Sequence, residues 1–194
     1  MMSLTRYSLD QFVVDMSALV ATNPAPEALF AKGSDYLERL IQDPESIPEP
    51  LRVPSGKGSR PNHGSYALHR SPGLFVSSVV WGPGDYAAPH DHQTWGMIGV
   101  MSNRIHETRF RRLDDRSRED FAQLEPVEPH VLKSGEVSLL IPFEDEIHEM
   151  RNPSDRVTVE VHVYGHDLVG LPRYAYDLNT GAVKRWASGK FDNC

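Results

Sequence analysis

Apolar residues in the first forty positions recur at the spacing of amphipathic helices. They lie at Phe12, Val13, Met16, Leu19 and Val20. Ser8 and Gln11 stand three residues apart ahead of this run, which is a capping-box pattern for a helix start. A second run of apolar residues predicts another helix after Pro26. Residues 43–64 are rich in proline and glycine, and this composition excludes long regular structure there.

The pattern changes from about Ser65 onwards to short strand-like segments separated by turn residues. The segments are 74–81, 94–101, 104–110, 135–142 and 156–164. Many short strands with regular turns are typical of a sandwich or a barrel. We therefore predict a mainly β fold in one structural domain. Residues 1–64 supply N-terminal helices and a lead-in packed on the barrel, and residues 65–194 supply the barrel and a C-terminal extension.

Composition and charge narrow the possible partners. The formal net charge of −7 disfavours a nucleic-acid partner, because phosphates would be repelled. Apolar stretches are too short for a membrane span, and the first residues do not resemble a secretory signal. Cys194 is the single cysteine in the sequence, which fits a reducing cytoplasm and leaves no internal thiol as a metal ligand. We expect a cytoplasmic protein.

Histidines provide the candidate chemistry. In an extended segment, His90 and His92 would point to one face and Asp91 to the other. Neutral imidazoles are common ligands for divalent iron, nickel, copper and zinc. Two histidines on one strand can approach a metal from one side, so a third ligand must come from elsewhere. His148, after a proline-containing turn and an acidic loop, is the best candidate.

The two histidine-containing stretches together resemble the two motifs of cupins. The matching positions are Gly84, His90 and His92 in the first motif, then Gly135, Pro142, His148 and Asn152 in the second. Cupins usually supply a glutamate ligand four or five residues after the second histidine, where this chain has Gly96 and Met97. The resemblance implies a cupin jelly-roll β-barrel with N-terminal helices and a metal site of three histidines.

The resemblance extends to bacterial thiol dioxygenases, relatives of cysteine dioxygenase that include the 3-mercaptopropionate dioxygenases. It is carried by residues 81–100, 159–165 and 171–177, within a similar region of about 65–177. It implies one ferrous ion, Fe(2+), bound by His90, His92 and His148. It also implies oxidation of a small thiol carboxylate, such as 3-mercaptopropionate or cysteine, to its sulfinate with dioxygen.

Further site residues follow from the same resemblance. His162 and Tyr164 match the family's Ser-x-His-x-Tyr pattern as catalytic residues, but Glu160 stands where serine is expected. Arg173 matches the arginine that pairs with the substrate carboxylate. Because side chains alternate along a strand, we expect residues 160, 162 and 164 to face the cavity, and we expect helices to cover the intervening valines.

Two other functions remain open at this stage. The same histidines could serve a cupin oxygenase or isomerase acting on a non-thiol substrate, or a cupin that binds a metal or ligand without turnover. His63, His69 and Arg70 precede the second strand and receive no role. We expect a small-molecule thiol and dioxygen as partners, no nucleic acid and no membrane, and we leave the oligomeric state open.

Overall fold

The computed structural model describes residues 6–57 and 59–194. The other residues of the predicted N-terminal segment, 1–5 and 58, lie outside this description. Within the described residues the chain forms two α-helices, two short 3-10 turns and twelve β-strands. The helices are α1 (Leu9–Ala21) and α2 (Pro26–Ile41), and the turns are Pro44–Ser46 and Glu49–Leu51. The first five strands are β1 (His63–Ser71), β2 (Leu74–Trp81), β3 (Tyr86–His90), β4 (Gly96–Ser102) and β5 (Arg104–Arg112). The remaining strands are β6 (Leu124–Pro126), β7 (His130–Lys133), β8 (Val137–Leu140), β9 (His148–Arg151), β10 (Thr158–Tyr164), β11 (Arg173–Tyr176) and β12 (Val183–Trp186).

Both helices begin where the sequence predicts. The Ser8 side chain caps α1 by accepting a hydrogen bond from the Gln11 backbone N–H at 3.1 Å. Pro26 occupies the first turn of α2, where its missing N–H has no intrahelical partner to lose. A side-chain cap therefore marks the start of α1, and a proline marks the start of α2.

The strands form two antiparallel sheets. In the first, the order is β1-β2-β10-β4-β8. In the second, it is β12-β11-β3-β9-β5-β6, with β7 also paired to β5. This arrangement confirms the predicted mainly β, jelly-roll architecture with N-terminal helices. Strand β10 lies at the centre of the first sheet, where β2 and β4 pair with its two edges, and all of its residues are buried.

The two faces of β10 have different environments. Val159, Val161 and Val163 pack in one core cluster with the apolar faces of α1 and α2. The side chains of Glu160, His162 and Tyr164 form a hydrogen-bonded series, and His162 and Tyr164 line the interior cavity. Strand alternation therefore converts one segment of sequence into a helix-packing face and a cavity face.

The structure differs from the sequence-based expectations at three places. Strand β3 ends at His90, so His92 does not continue the strand. Strand β1 begins at His63, two residues earlier than expected. Residues 109–120 carry charges of both signs, a pattern that predicts a solvated hairpin end, but Arg109 is buried and donates hydrogen bonds to Ser138 and the Leu139 carbonyl. Among the described residues no helix has the length and apolarity that a membrane crossing requires.

Candidate metal centre

Three histidines from separate positions in the chain converge inside the barrel. His90 is the last residue of β3, His148 is the first residue of β9, and the two pair directly across the second sheet. His92 joins them from the turn after β3. One nitrogen from each ring lies within 4.8 Å of the others, so the three histidines form a group that could hold one metal ion.

Hydrogen bonds fix two of the rings. His90 Nδ1 lies 2.8 Å from the Ala88 carbonyl oxygen, and His148 Nδ1 lies 2.7 Å from Glu107 Oε1. Both partners are acceptors, so these Nδ1 atoms carry the proton and Nε2 keeps its lone pair. His92 Nδ1 is buried and has no hydrogen-bond partner in the described part of the chain. The three rings therefore retain nitrogen atoms that no protein group uses.

Burial sets the charge states around the cluster. It lowers the pKa of His90 and of His92 well below the usual range, so both rings are neutral at physiological pH. Burial alone would raise the pKa of Glu107, but hydrogen bonds from His148 and Ser138 and the nearby Arg109 lower it to about 2. Two neutral imidazoles, together with a third held by an ionised carboxylate, are a donor set suited to a divalent transition metal.

The turn that carries His92 is held by two acidic side chains. Glu146 Oε2 accepts hydrogen bonds from the backbone N–H groups of His92 and Gln93, at 3.1 and 2.9 Å. Asp91 is buried and accepts from the backbone N–H of Tyr174 and from the hydroxyl of Tyr176. Gln93 has a positive φ of 56°, which directs the chain out of β3. These contacts explain why His92 reaches the cluster without being in the strand.

Gly96 occupies one of the positions where cupins usually have a glutamate ligand. A Cβ atom built at Gly96 would lie 2.8 Å from the aromatic ring of Tyr164, closer than real side chains approach. The Met97 side chain meets Gly33 of α2 in the helix-facing core cluster. The Tyr164 ring therefore fills the space that a side chain at position 96 would need, and the cluster consists of three histidines.

The cluster opens on a cavity of about 360 Å³. His90, His92, His162 and Tyr164 line it together with Arg173 from β11. Sequence alone does not place these residues together, because they come from both sheets. The volume is within the range of small-molecule sites in enzymes.

Arg173 is only 3% exposed and has few partners for a buried guanidinium. Its Nη2 donates to the Ser188 hydroxyl, its Cζ lies 4.1 Å from the centre of the Trp186 ring, and its Nε has no partner. Within the described residues it forms no ion pair with a carboxylate. Burial lowers the pKa of Arg173, but an arginine starts so high that it stays charged. A buried cation without a counter-ion favours an anionic ligand.

A series of buried hydrogen bonds runs along the cavity face of β10. Trp81 Nε1 donates to Glu160 Oε2 at 2.6 Å, and His162 Nε2 lies 2.8 Å from the same oxygen. His162 Nδ1 lies 2.8 Å from the Tyr164 hydroxyl. The Tyr164 ring stacks on His92, with ring centres 5.1 Å apart. Glu160 thus lies beside His162 and His162 beside Tyr164, in the order that strand alternation predicts.

Some site residues have no clear sequence signal. Glu107, which holds His148, comes from the middle of β5, and Trp81, which holds Glu160, ends β2. An acidic residue flanked by strand residues gives the only hint for Glu107. Of the three residues without a role, His63 lines the cavity. His69 bonds to Ser71 and Arg70 pairs with Asp167, so neither takes part in the cluster.

No protein-family model matches the chain. Among solved structures, it is similar to an oxalate oxidase in complex with glycolate, with 16% identity and a TM-score of 0.45 over 59% of this chain. The chain spans 55% of that oxidase. An RmlC-like cupin family protein from Methanocaldococcus jannaschii matches 53% of this chain and 79% of its own, with 14% identity and a TM-score of 0.40. A cupin-superfamily sugar phosphate isomerase from Silicibacter pomeroyi matches over 71% of this chain and 87% of its own chain, with 13% identity and a TM-score of 0.46. No residue role is transferred from them.

Proposed function

We propose that this protein is a ferrous-iron-dependent thiol dioxygenase acting on a small thiol carboxylate. One observation carries the proposal: a buried guanidinium without a counter-ion, Arg173, lines the same cavity as a cluster of three imidazoles. A ligand that satisfies both features needs an anionic group for the arginine and a donor atom for a metal. A thiol carboxylate has both groups on one small molecule.

The residues present fit a divalent transition metal. Three nitrogen donors converge, and unused nitrogen atoms face no protein partner in the described chain. With three protein ligands, a metal keeps open positions for substrate, as catalytic sites require. When bound, a ferrous ion supplies a Lewis acid that favours the thiolate and a redox centre for the reaction with dioxygen. The choice of Fe(2+) over other metals is part of the proposal.

The chain's own residues bind and orient the substrate. Arg173 pairs with the carboxylate, and a guanidinium can do so through two parallel hydrogen bonds. Tyr164 keeps its proton, because burial raises its pKa well above the usual range. Its hydroxyl therefore remains a hydrogen-bonding group beside the histidine cluster, 2.8 Å from His162 Nδ1. His162 and Glu160 hold that hydroxyl in place.

The proposed reaction needs only the thiol and dioxygen to balance its atoms and electrons. The sulfur of R–SH is oxidised, dioxygen is reduced, and both oxygen atoms end on sulfur to give the sulfinic acid R–SO₂H. No other reductant is consumed. The single cysteine of the sequence makes a reducing, cytoplasmic setting part of the same proposal.

The direct test is oxygen uptake by the iron-loaded protein with a panel of substrates. We expect consumption of dioxygen with 3-mercaptopropionate, cysteine or a related thiol carboxylate, and one sulfinate formed per dioxygen consumed. Turnover restricted to non-thiol substrates would instead identify another cupin oxygenase or isomerase. Thermal stabilisation by these compounds without turnover would identify a binding protein.

The assignment of His148 has its own test. Replacing His148 with Ala should lower iron content at least tenfold, because the two remaining histidines cannot hold the ion tightly. The matched control is His130→Ala, an exposed histidine on β7 that should leave iron content unchanged. Iron is measured per chain after purification from iron-rich medium. Full occupancy in the His148 variant would refute its role as a ligand.

A further inference from the structure

Besides Arg173, the cavity has a second group of nitrogen-containing side chains, which lies at the opposite end. Arg60 and His63 line the same cavity and lie beside Trp81, the last residue of β2. The register of β2 with β10 places Trp81 opposite Thr158 and places Phe75 opposite Tyr164. Arg173 bonds to Ser188, which pairs with Val169, and Val169 packs on the cluster that contains Phe75 and Tyr164, so Arg173 lies at the Phe75 end. The two groups therefore lie at opposite ends of one strand pair, with His162 between them.

One buried carboxylate orients both members of this second group. Asp85 Oδ1 accepts from Arg60 Nε and Nη2 at 3.1 and 2.8 Å, and Asp85 Oδ2 lies 2.8 Å from His63 Nδ1. Burial alone would raise the pKa of Asp85, but the bonds to His63 and Arg60 outweigh burial and lower it. Asp85 is itself fixed, because its backbone bonds to Gly82 and Asn152. The group is thus held in place before any ligand binds.

The indole of Trp81 supports the same two side chains. The Arg60 Cζ lies 5.4 Å from the centre of the Trp81 ring, and the His63 ring meets it edge-on at 5.1 Å. Trp81 is 3% exposed and is anchored by its bond to Glu160. A guanidinium held by both a carboxylate and an aromatic ring loses little further freedom on binding an anion.

Donors remain available after these contacts. Arg60 has five N–H groups, and within the described residues only Nε and Nη2 have an acceptor. His63 Nδ1 lies against the same carboxylate, so His63 helps to position Asp85 and adds no donor of its own. An anionic ligand can accept the hydrogen bonds of the remaining Arg60 N–H groups.

We propose that Arg60, held by Asp85 and Trp81, forms a second anion subsite, and that the natural substrate is a thiol dicarboxylate rather than a thiol monocarboxylate. One carboxylate pairs with Arg173, the second binds Arg60, and the thiol lies between them at the histidine cluster. The inference rests on the proposed thiol chemistry for the identity of the central group. The subsite itself requires only the two groups of donors.

The test uses thiol-free acids, so that it does not depend on iron or turnover. Succinate and propionate are titrated calorimetrically into the protein as purified and again after metal chelation. We expect succinate to bind at least about tenfold more tightly than propionate in both preparations, because it can use both groups of donors. Equal affinities for the two acids would overturn the second subsite.

Three variants test which residues cause the preference for succinate over propionate. Arg60→Met should reduce succinate affinity about tenfold and leave propionate unchanged, whereas Arg173→Met should weaken both acids. Arg118→Met removes an exposed arginine paired with Asp120 and should change neither. If Arg60→Met does not fold, the double variant Arg60→Met/Asp85→Asn removes the ion pair as a unit and should give the same loss. Unchanged succinate binding in a folded Arg60 variant would refute the proposal.

Measurements of oxygen uptake then distinguish the second anion subsite from the proposed dioxygenase activity. Faster turnover of mercaptosuccinate than of 3-mercaptopropionate, reversed by Arg60→Met, would support the substrate class. Selective succinate binding with no thiol oxidation would retain the subsite and refute the dioxygenase. Thiol oxidation without succinate selectivity would retain the dioxygenase and refute the subsite.

Discussion

Each candidate metal ligand depends on a neighbour that the ligand pattern does not reveal. His148 is held by Glu107, His90 by the Ala88 carbonyl, and the turn carrying His92 by Glu146. These contacts select the ring nitrogen that faces the cavity, and they remove rotational freedom from the ligand. At the residue scale, each candidate ligand therefore depends on a partner residue. Substituting the partner tests the site as directly as substituting the ligand.

Arg173 provides the first residue-scale prediction. Arg173→Lys keeps a positive charge but loses the planar fork that binds a carboxylate through two bonds. We expect the Michaelis constant for thiol carboxylates to rise about tenfold or more, with little change for cysteamine, a thiol without a carboxylate. Steady-state oxygen uptake measures both. Equal losses for the two substrate types would show that Arg173 supports the fold instead of the substrate.

Glu160 provides the second residue-scale prediction. Because its Oε2 accepts from both Trp81 and His162, Glu160→Gln should disturb the orientation of His162 and hence of the Tyr164 hydroxyl. We expect kcat to fall about ten- to a hundredfold, with iron content and the Michaelis constant nearly unchanged. Nitrogen-15 NMR of the histidines should show an altered His162 signal. Glu125→Gln, at an exposed site paired with Arg111, is the control.

At the scale of elements, the helix α2 lies unusually close to strand β4. A Cβ atom built at Gly99 would lie 2.9 Å from Leu37 Cγ and 3.1 Å from two carbon atoms of Ile41. Leu37 and Ile41 are essentially fully buried, so they have little room to move. The close approach brings the helices onto the valine face of β10, which leaves the other face of that strand for the site.

This packing predicts the cost of adding one methyl group. Gly99→Ala should destabilise the protein by roughly 1–3 kcal/mol through overpacking, even though alanine suits a strand interior better than glycine in chain entropy. Urea unfolding followed by circular dichroism measures the change. The matched control is Gly189→Ala, where a Cβ atom meets nothing within 4 Å. Equal stability of the two variants would show that α2 can shift away from β4 without cost.

For the whole molecule, the cavity is lined by segments that are far apart in the chain. Phe191 and Trp186 line it near the C-terminus, and Arg60 lines it before β1. Asp192 and Asn193 fasten the C-terminal segment to β1, through hydrogen bonds with the backbone of Ser65 and Ala67. The lining of the site is consequently a property of the folded barrel, because it combines residues from Arg60 to Phe191.

Glu107 connects the two sheets and predicts how stability depends on pH. It lies on β5 of the second sheet and bonds to His148 on β9 and to Ser138 on β8 of the first sheet. Its folded-state pKa of about 2 is below the value near 4.3 expected in an unfolded chain. Its contribution is therefore fully present above about pH 5 and is lost as the pH falls towards 2.

The corresponding variant is Glu107→Gln. With metal removed, it should be less stable than the parent at pH 7, by on the order of 3 kcal/mol. That difference should shrink as the pH is lowered from about 5 to 3. Urea unfolding at several pH values measures it, with the exposed Glu128→Gln as control. A difference that stays constant with pH would show that the Glu107 charge does not stabilise the fold.

Features that depend on local chemistry and on periodicity were predictable from the amino-acid sequence. Helix caps, strand alternation and turn residues act over a few positions, so the start of α1 at Ser8 and the two faces of β10 were predictable. The spacing of the histidines also indicated which residues to examine. These signals describe neighbours in the chain, which explains why the mainly β class was predicted before any contact was known.

Contacts between residues that are far apart in the sequence became known only from the tertiary structure. Glu107 at His148, Trp81 at Glu160, and Arg60 at Asp85 are separated by 25 to 79 positions. Their meeting depends on strand order and register, which the periodicity of a single segment does not encode. The end of β3 at His90 has the same origin, because the side chains that capture the next residues come from other parts of the fold. The donors could be predicted from the sequence, but their orientation, their partners and the cavity they share required the packed barrel.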